Sequence, residues 1–414
     1  MTRAARWLWR ELTRPRGSVR HRFYRVGRRS RAGVALLMAI TSILLLTVLV
    51  TEIAYAATVR AQLAVHQRDE VKAEALAYTG VQLYRLILVA SKQLGNNPMF
   101  QSFSASMGIN LGDALWQMVP MINSGLLRMV FVSDGSVDED DMEEFEEQGG
   151  LTDEELEESR ESSGTKRNFL DFDGDFFAEL IDEDSRIYVG QIQATNYAEL
   201  LENRTALELY GLMSGQENDQ FFYEIDMDRW ELIGNLADWV DQDGDRLFQG
   251  GSEENLYNRL ESPYLPKNAP FDTLREIRLV DGWNRDDIWE KYGEQLTIYG
   301  GGKVNINTAS NEVLFALLKA HLEPTPSDQY VQELLVKLAE YKALTNFTDT
   351  KTFVSVLESL GATPDPAMST AIATESTVFR VTSTGVVGEA SVSIEVVLDF
   401  SQDATGKVVY WRVE

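Results

Sequence analysis

Residues 32–51 read AGVALLMAITSILLLTVLVT, twenty positions without a charge. At ~1.5 Å per residue a helix of this length spans roughly 30 Å, the thickness of a bilayer core. On its N-terminal side, residues 1–33 hold eleven arginines, no lysine and a single acid, Glu11. The whole chain of 414 residues has a net charge of −27, so the +10 of residues 1–33 leaves −37 on the rest. Basic residues flanking a span stay cytoplasmic, which predicts export of the acidic body. An uncleaved signal anchor accounts for this much. A secretory signal peptide fits less well, because the apolar run is long and no A-x-A site precedes a change of composition.

Outward from the span, the apolar run does not stop. It continues as TEIAYAATVRAQLAVHQRDEVKAEALAYTGVQLYRLIL, with no proline from Val34 to Asn97 and no glycine before Gly80. Alanine, leucine, glutamine, glutamate and arginine dominate, which predicts one continuous helix over 34–95. The junction Arg31-Ala32-Gly33-Val34-Ala35-Leu36-Leu37 resembles the processing site of type IV prepilins and pseudopilins. That resemblance implies a prepilin peptidase cutting after Gly33 and a methylated Val34 as the new N-terminus. Most of that superfamily places glutamate at the fifth mature position, which here is Met38; the first acid is Glu52. A lone carboxylate in lipid is costly unless a neighbouring subunit's amine pairs with it. A subunit with nothing above it needs no such group.

The rest of the chain reads as strands, then a helical block, then strands. Residues 114–121 and 126–132 are apolar, and LRMVFV before Ser133-Asp134-Gly135 reads as a strand and turn. The acid-dense stretch 134–161 reads as a solvated loop or frayed helix. Residues 169–193 read as a hairpin whose two apolar strands flank Asp182-Glu183-Asp184-Ser185. From 196 to about 360, apolar residues recur at three- and four-residue spacing between glycine, proline and asparagine breaks. Residues 376–414 return to strands. A helical block between two sets of strands suggests insertion into one α+β domain. The parts are then a leader, 1–33; an anchoring helix, 34–95; an α/β part, 96–195; an inserted helical domain, 196–365; and C-terminal strands, 366–414.

Composition and motifs narrow the function classes. There is no cysteine, so no disulfide or thiolate metal site is possible. An acidic body repels nucleic acid and attracts cations. Catalytic text is thin. There are three histidines, His21, His66 and His321, and no G-x-S-x-G elbow. Gly300-Gly301-Gly302-Lys303 is followed by Val304, so it is not a phosphate-binding Walker loop. Carboxylate pairs suited to a glycosidase arise by chance among so many acids. Residues 304–310, VNINTAS, resemble the opening of a DNA-binding helix-hairpin-helix, but the glycine hairpin is missing; Thr308 or Ser310 is expected to cap a helix at 311–320.

The cation motif is Asp241-Gln242-Asp243-Gly244-Asp245, followed by Glu253 and Glu254. Alternating aspartates can converge on one ion, and hard oxygens suit calcium. The EF-hand pattern fails: Gly244 is at loop position 4, Arg246 at 6 and Ser252 at 12. A plain polar turn is the other reading. Asp171-Phe172-Asp173-Gly174-Asp175 looks similar but carries a hairpin-turn signal, and reads as a turn first.

Taken in order, Ala237-Asp238-Trp239-Val240-Asp241, Glu253–Tyr257, Pro263-Tyr264, Asn268-Ala269-Pro270-Phe271, residues 274–282 (LREIRLVDG) and Asn305-Ile306-Asn307-Thr308-Ala309 resemble the K-type minor pseudopilins of type II secretion. The resemblance implies a pilin-like α+β fold: a long N-terminal helix packed on an antiparallel sheet, with a large inserted helical domain. It implies a non-enzymatic subunit capping the pseudopilus tip, anchored in the bacterial inner membrane with a periplasmic body. The implied partners are I- and J-type minor pseudopilins, the prepilin peptidase, and exoproteins or the outer-membrane secretin, with no nucleic acid. It also implies structural calcium held by Asp241, Asp243, Asp245, Glu253 and Glu254 as a group. A minor pilin of a type IV pilus or competence system, or an anchored periplasmic calcium-binding protein, shares much of this text.

Overall fold

The computed structural model describes residues 20–95, 116–117, 119, 121–127 and 172–414. The leader up to residue 19, most of the expected strand at 127–132 and the acidic stretch 134–161 lie outside the described residues; Leu127 itself closes a helical turn. Two compact units divide the chain, Met1–Arg68 and Asp69–Glu414. Helix α1 runs Arg20–Gly95, as its unbroken helix-forming composition requires. Its part Gly33–Leu94 contains the one candidate membrane span among the described residues, with a mean hydropathy of 2.6 and no burial over the apolar window.

In the second unit, the last turns of α1 pack on a five-stranded antiparallel sheet. Its strands are β1 (Met121–Asn123), β2 (Asp175–Asp182), β7 (Val378–Val387), β8 (Ala390–Asp399) and β9 (Lys407–Val413), adjacent in that order. Buried and exposed positions alternate along most of β7, the period-2 pattern of a strand with one covered face. Ala73, Leu76, Ala77, Val81, Tyr84 and Leu88 of α1 meet Phe176, Ala178, Phe379, Val381, Ile394 and Val396 in one core. Small residues set the approach. A Cβ on Gly385 would fall 2.0 Å from the Ala73 carbonyl oxygen, and one on Gly80 would fall 2.3 Å from Ser383 Oγ.

The hairpin expected over 169–193 does not form. The Asp173-Gly174 bend leads into β2, as the turn reading required, with Gly174 at φ +97°. But β2 pairs with β7, Asp182 opposite Phe379, and not with the strand that follows it. That strand, β3 (Ile187–Tyr188), instead pairs in parallel with β4 (Leu296–Thr297). The reason lies in Asp182, Glu183 and Asp184, which are buried rather than solvated. They form a 3₁₀ turn capped by Asp182, whose carboxylate accepts from Asp184 N at 2.9 Å. The chain leaves the sheet here and returns on the adjacent strand.

Between exit and return lies a second core built by helices. Those needed below are α2 (Tyr197–Glu202), α3 (Arg204–Leu212), α4 (Gln216–Glu224), α5 (Arg229–Val240), α6 (Glu254–Tyr257), α7 (Asp286–Tyr292), α8 (Asn311–His321), α9 (Asp328–Leu344), α10 (Thr350–Ser359) and α11 (Met368–Ala371). Caps sit where the sequence puts them. Asn196, Asn203, Asp228, Ser310, Ser327 and Asp349 each accept from a backbone N–H of the first turn. Strand β5 (Val304–Asn305) pairs in parallel with β6 (Ile372–Ala373). The VNINTAS motif is a structural knot. Asn305 Nδ2 donates to Ser376 Oγ at 2.6 Å, Asn307 Nδ2 to the Phe347 and Thr374 carbonyls at 2.9 and 3.0 Å, and Thr308 Oγ1 to Asp182.

Candidate metal centre

Helix α5 ends in two buried carboxylates. Asp238 lies in the final turn, and Asp241 is the C-cap in extended backbone. Their i, i+3 spacing puts both on one side of the helix end. Negative groups here face the negative end of the helix dipole, so something must offset them. The chain then turns back through Gly250 and Gly251, both at positive φ. Two backbone bonds close the loop: Arg246 N to Gly251 O and Glu253 N to Gly244 O, each 3.0 Å. This returns Glu253 to the helix end.

Asp238, Asp241 and Glu253 are all buried, and each offers an oxygen within 4.8 Å of the others. Their hydrogen bonding is incomplete. The Asp238 oxygens accept from Leu247 N at 3.2 and 3.3 Å. Both Glu253 oxygens and Asp241 Oδ1 are buried without a hydrogen-bond partner. Burial and repulsion from neighbouring carboxylates push all three carboxyls up: Asp238 to about 7, Asp241 to about 6 and Glu253 to about 8. Burial is the largest cause in each. For Glu253 the charges of Asp238, Asp241, Asp243 and Asp245 add to it.

Of the residues singled out from sequence, Asp241 and Glu253 come together here. Asp243, Asp245 and Glu254 are exposed and outside the buried trio. Asp243 instead shapes the loop, its Oδ1 accepting from Asp245 N at 2.9 Å and its carbonyl from Asn268 Nδ2. Glu254 opens α6. Asp238 belongs to the helix and lies outside the loop motif. Its i, i+3 relation to Asp241 was the available signal.

The donor set fits a hard divalent cation. Three carboxylates offer the hard oxygen ligands calcium takes, and among the described residues no histidine or cysteine joins the cluster. The aromatic wall behind the trio holds the geometry. Trp239 packs edge-on to Tyr257 at 5.3 Å and donates from Nε1 to Glu276 at 2.9 Å, and Lys267 braces Glu276 at 3.0 Å.

A long helix laid on an antiparallel sheet, with a helical block inserted between β2 and β7, is a pilin-like α+β fold. Residues 212–299, which run from the end of α3 through the carboxylate trio to β4, match the family model described as type II secretion system (T2SS), protein K. By that match this stretch of the chain is similar to protein K of type II secretion systems. No curated protein matches. Among solved structures, the crystal structure of the GspK-GspI-GspJ complex from the enterotoxigenic Escherichia coli type 2 secretion system is similar at 16% identity. The alignment covers 58% of this chain and 80% of that one, with a TM-score of 0.43.

Proposed function

We propose that this chain caps the tip of a type II secretion pseudopilus and starts its assembly with I- and J-type minor pseudopilins. The observation that carries this is the protein K match over 212–299. The sequence at the other end agrees with it. Met38 stands where most pilins need a glutamate to meet the subunit above, and a tip subunit has none above it. The role is mechanical, so the head supplies bulk and rigidity rather than a reaction.

In this reading residues 1–33 are a leader removed by a prepilin peptidase, Val34 is the mature N-terminus, and α1 anchors the subunit in the inner membrane. Residues 196–365 form the inserted helical domain of a periplasmic body. Asp238, Asp241 and Glu253 hold a structural calcium ion, with Asp243 and Asp245 tuning the field around it. Calcium would offset three buried charges at the end of α5 and lock the 241–253 loop to the helix; Glu254 has no part in the trio. The test is made in the native bacterium. Intact-mass analysis of the purified protein is expected to give a chain starting at Val34. Cross-linking is expected to join it to two smaller pseudopilins. A chain that keeps residues 1–33 and cross-links to no pseudopilin sinks the proposal.

A further inference from the structure

His321 closes α8 and is 2% exposed. Both ring nitrogens face carboxylates: Nε2 lies 3.1 Å from Glu208 Oε1, and Nδ1 lies 3.2 Å from Asp365 Oδ2. A neutral imidazole has one N–H and one lone pair. In either tautomer a lone pair would point at a carboxylate oxygen. Only the imidazolium donates to both.

Charge leads to the same state. Glu208 on α3 is itself 2% exposed, and Arg204, one turn earlier, places Nε 3.5 Å from it. On the segment that follows α10, Asp365 is the acid that meets the ring. On α8 itself Lys319 is turned away to Asp328 at the start of α9, at 2.8 Å, and Glu323 beyond the helix is exposed. Arg204, Glu208 and Asp365 sum to −1, and a protonated His321 makes the group neutral. Burial alone would lower the histidine's pKa, but the hydrogen bonds and charges of Glu208 and Asp365 raise it overall.

The ring joins three elements. α3 and α8 touch closely, since a Cβ on Gly211 would fall 2.6 Å from the Ala316 carbonyl oxygen. The third element is the segment 362–368, which leads through α11 and β6 into β7 of the sheet. It is pinned to the end of α8 by Asp365 N to His321 O at 2.8 Å and Glu323 N to Thr363 O at 2.9 Å. Asp365 also accepts from Met368 N, at the start of α11, at 2.7 Å.

We propose that His321 is a proton-operated latch: as an imidazolium it fastens segment 362–368 to α3 and α8, and loss of its proton to solvent releases that segment. This goes beyond the tip-subunit reading and does not depend on it. The sign follows from linkage. A histidine whose folded pKa is raised contributes stability that is complete below the ordinary value near 6.5 and is lost as pH climbs through the raised value.

The chain has only three histidines, so labelling with 15N-histidine gives a simple spectrum of the full-length protein in detergent micelles. The latch predicts one doubly protonated ring signal that persists above the ordinary histidine value and is missing from His321→Gln. It also predicts that hydrogen-exchange protection of peptides covering 362–368 in the native protein falls, relative to the rest of the head, over the pH range in which that ring signal is lost. In His321→Gln that protection is low throughout. Should His321→Gln not fold, Asp365→Asn is read instead, and the persisting ring signal must then titrate at lower pH. A neutral ring for His321 at pH 6 overturns the latch. So does a charged ring with protection at 362–368 that ignores pH.

Discussion

The head holds two buried groups of three carboxylates, and they differ in how the oxygens are occupied. At the sheet exit, each of Asp182, Glu183 and Asp184 meets donors from the protein. Asp182 accepts from Ser376 and Thr308, and Glu183 accepts from Thr297 and from Arg380 Nε at 2.6 Å. Asp184 accepts from Thr377 N at 2.6 Å, Thr377 Oγ1 at 2.9 Å and Val378 N at 3.2 Å. At the end of α5, Asp238, Asp241 and Glu253 are as deeply placed, yet three of their oxygens have no donor. Buried polar groups are almost always satisfied, so the second group is the one that asks for a ligand. Acid density alone does not separate the two; accounting for the donors does.

That contrast can be broken most sharply at Arg380. Its guanidinium bridges Glu183 and Glu395, the latter at 2.9 Å, and is largely buried. Arg380→Met leaves Glu183 charged and buried, a loss of roughly 3–5 kcal/mol for a broken buried pair. Chemical denaturation should show this loss equally with calcium or with chelator. A calcium-dependent loss would mean that the two groups are not independent. The second test is calcium itself. At free calcium a thousand times the dissociation constant, a site confined to the folded state stabilises by about 4 kcal/mol. Chelator should therefore lower the midpoint of the native protein, and Glu253→Gln should abolish that response while leaving the sheet-exit group intact. An unchanged midpoint on chelation counts against the ion.

Much of this was legible in the sequence because it rests on local signals. The long helix follows from composition without a breaker between Val34 and Gly80, and α5, α8, α9 and α10 follow from their period and caps. The likeness to protein K over 212–299 was legible as an ordered series of short motifs. What the sequence hid is non-local. Asp182-Glu183-Asp184 has the text of a solvated turn, and only the return of β7 beside β2 buries it. The carboxylate trio crosses a helix end and a loop closure, so no spacing rule within the loop could bring Asp238 together with Asp241 and Glu253. His321 carried no signal either, since its two acids lie far from it along the chain.

The helix-on-sheet region offers a smaller effect with a different signature. A methyl group at Gly385 would collide with the Ala73 carbonyl, which is backbone and cannot rotate away. Gly385→Ala should cost ~1–3 kcal/mol by overpacking. Because the strain falls between α1 and β7, the calcium response of the α5 corner should survive unchanged. If it is lost, the sheet and the helical block communicate more tightly than their separate cores imply.

The smallest expected effect, a drift with pH, separates the calcium-loaded protein from the calcium-free one by sign. Without calcium, Asp241, Asp238 and Glu253 ionise at about 6, 7 and 8, above their ordinary values. A folded state that holds protons longer than the unfolded chain loses stability as pH rises through that window. With calcium the same carboxylates must be ionised to bind, so bound ion depresses them and the stability it brings is lost as pH falls. The two effects pull apart, and the gap in melting midpoint between calcium and chelator should widen from pH 5 to 8 and then level off. Asp182 is also pushed up, to about 7, chiefly by burial. It contributes equally to both curves and cancels in the difference, as does His321. A gap that stays constant across this range would mean that buried carboxylates are not the calcium ligands.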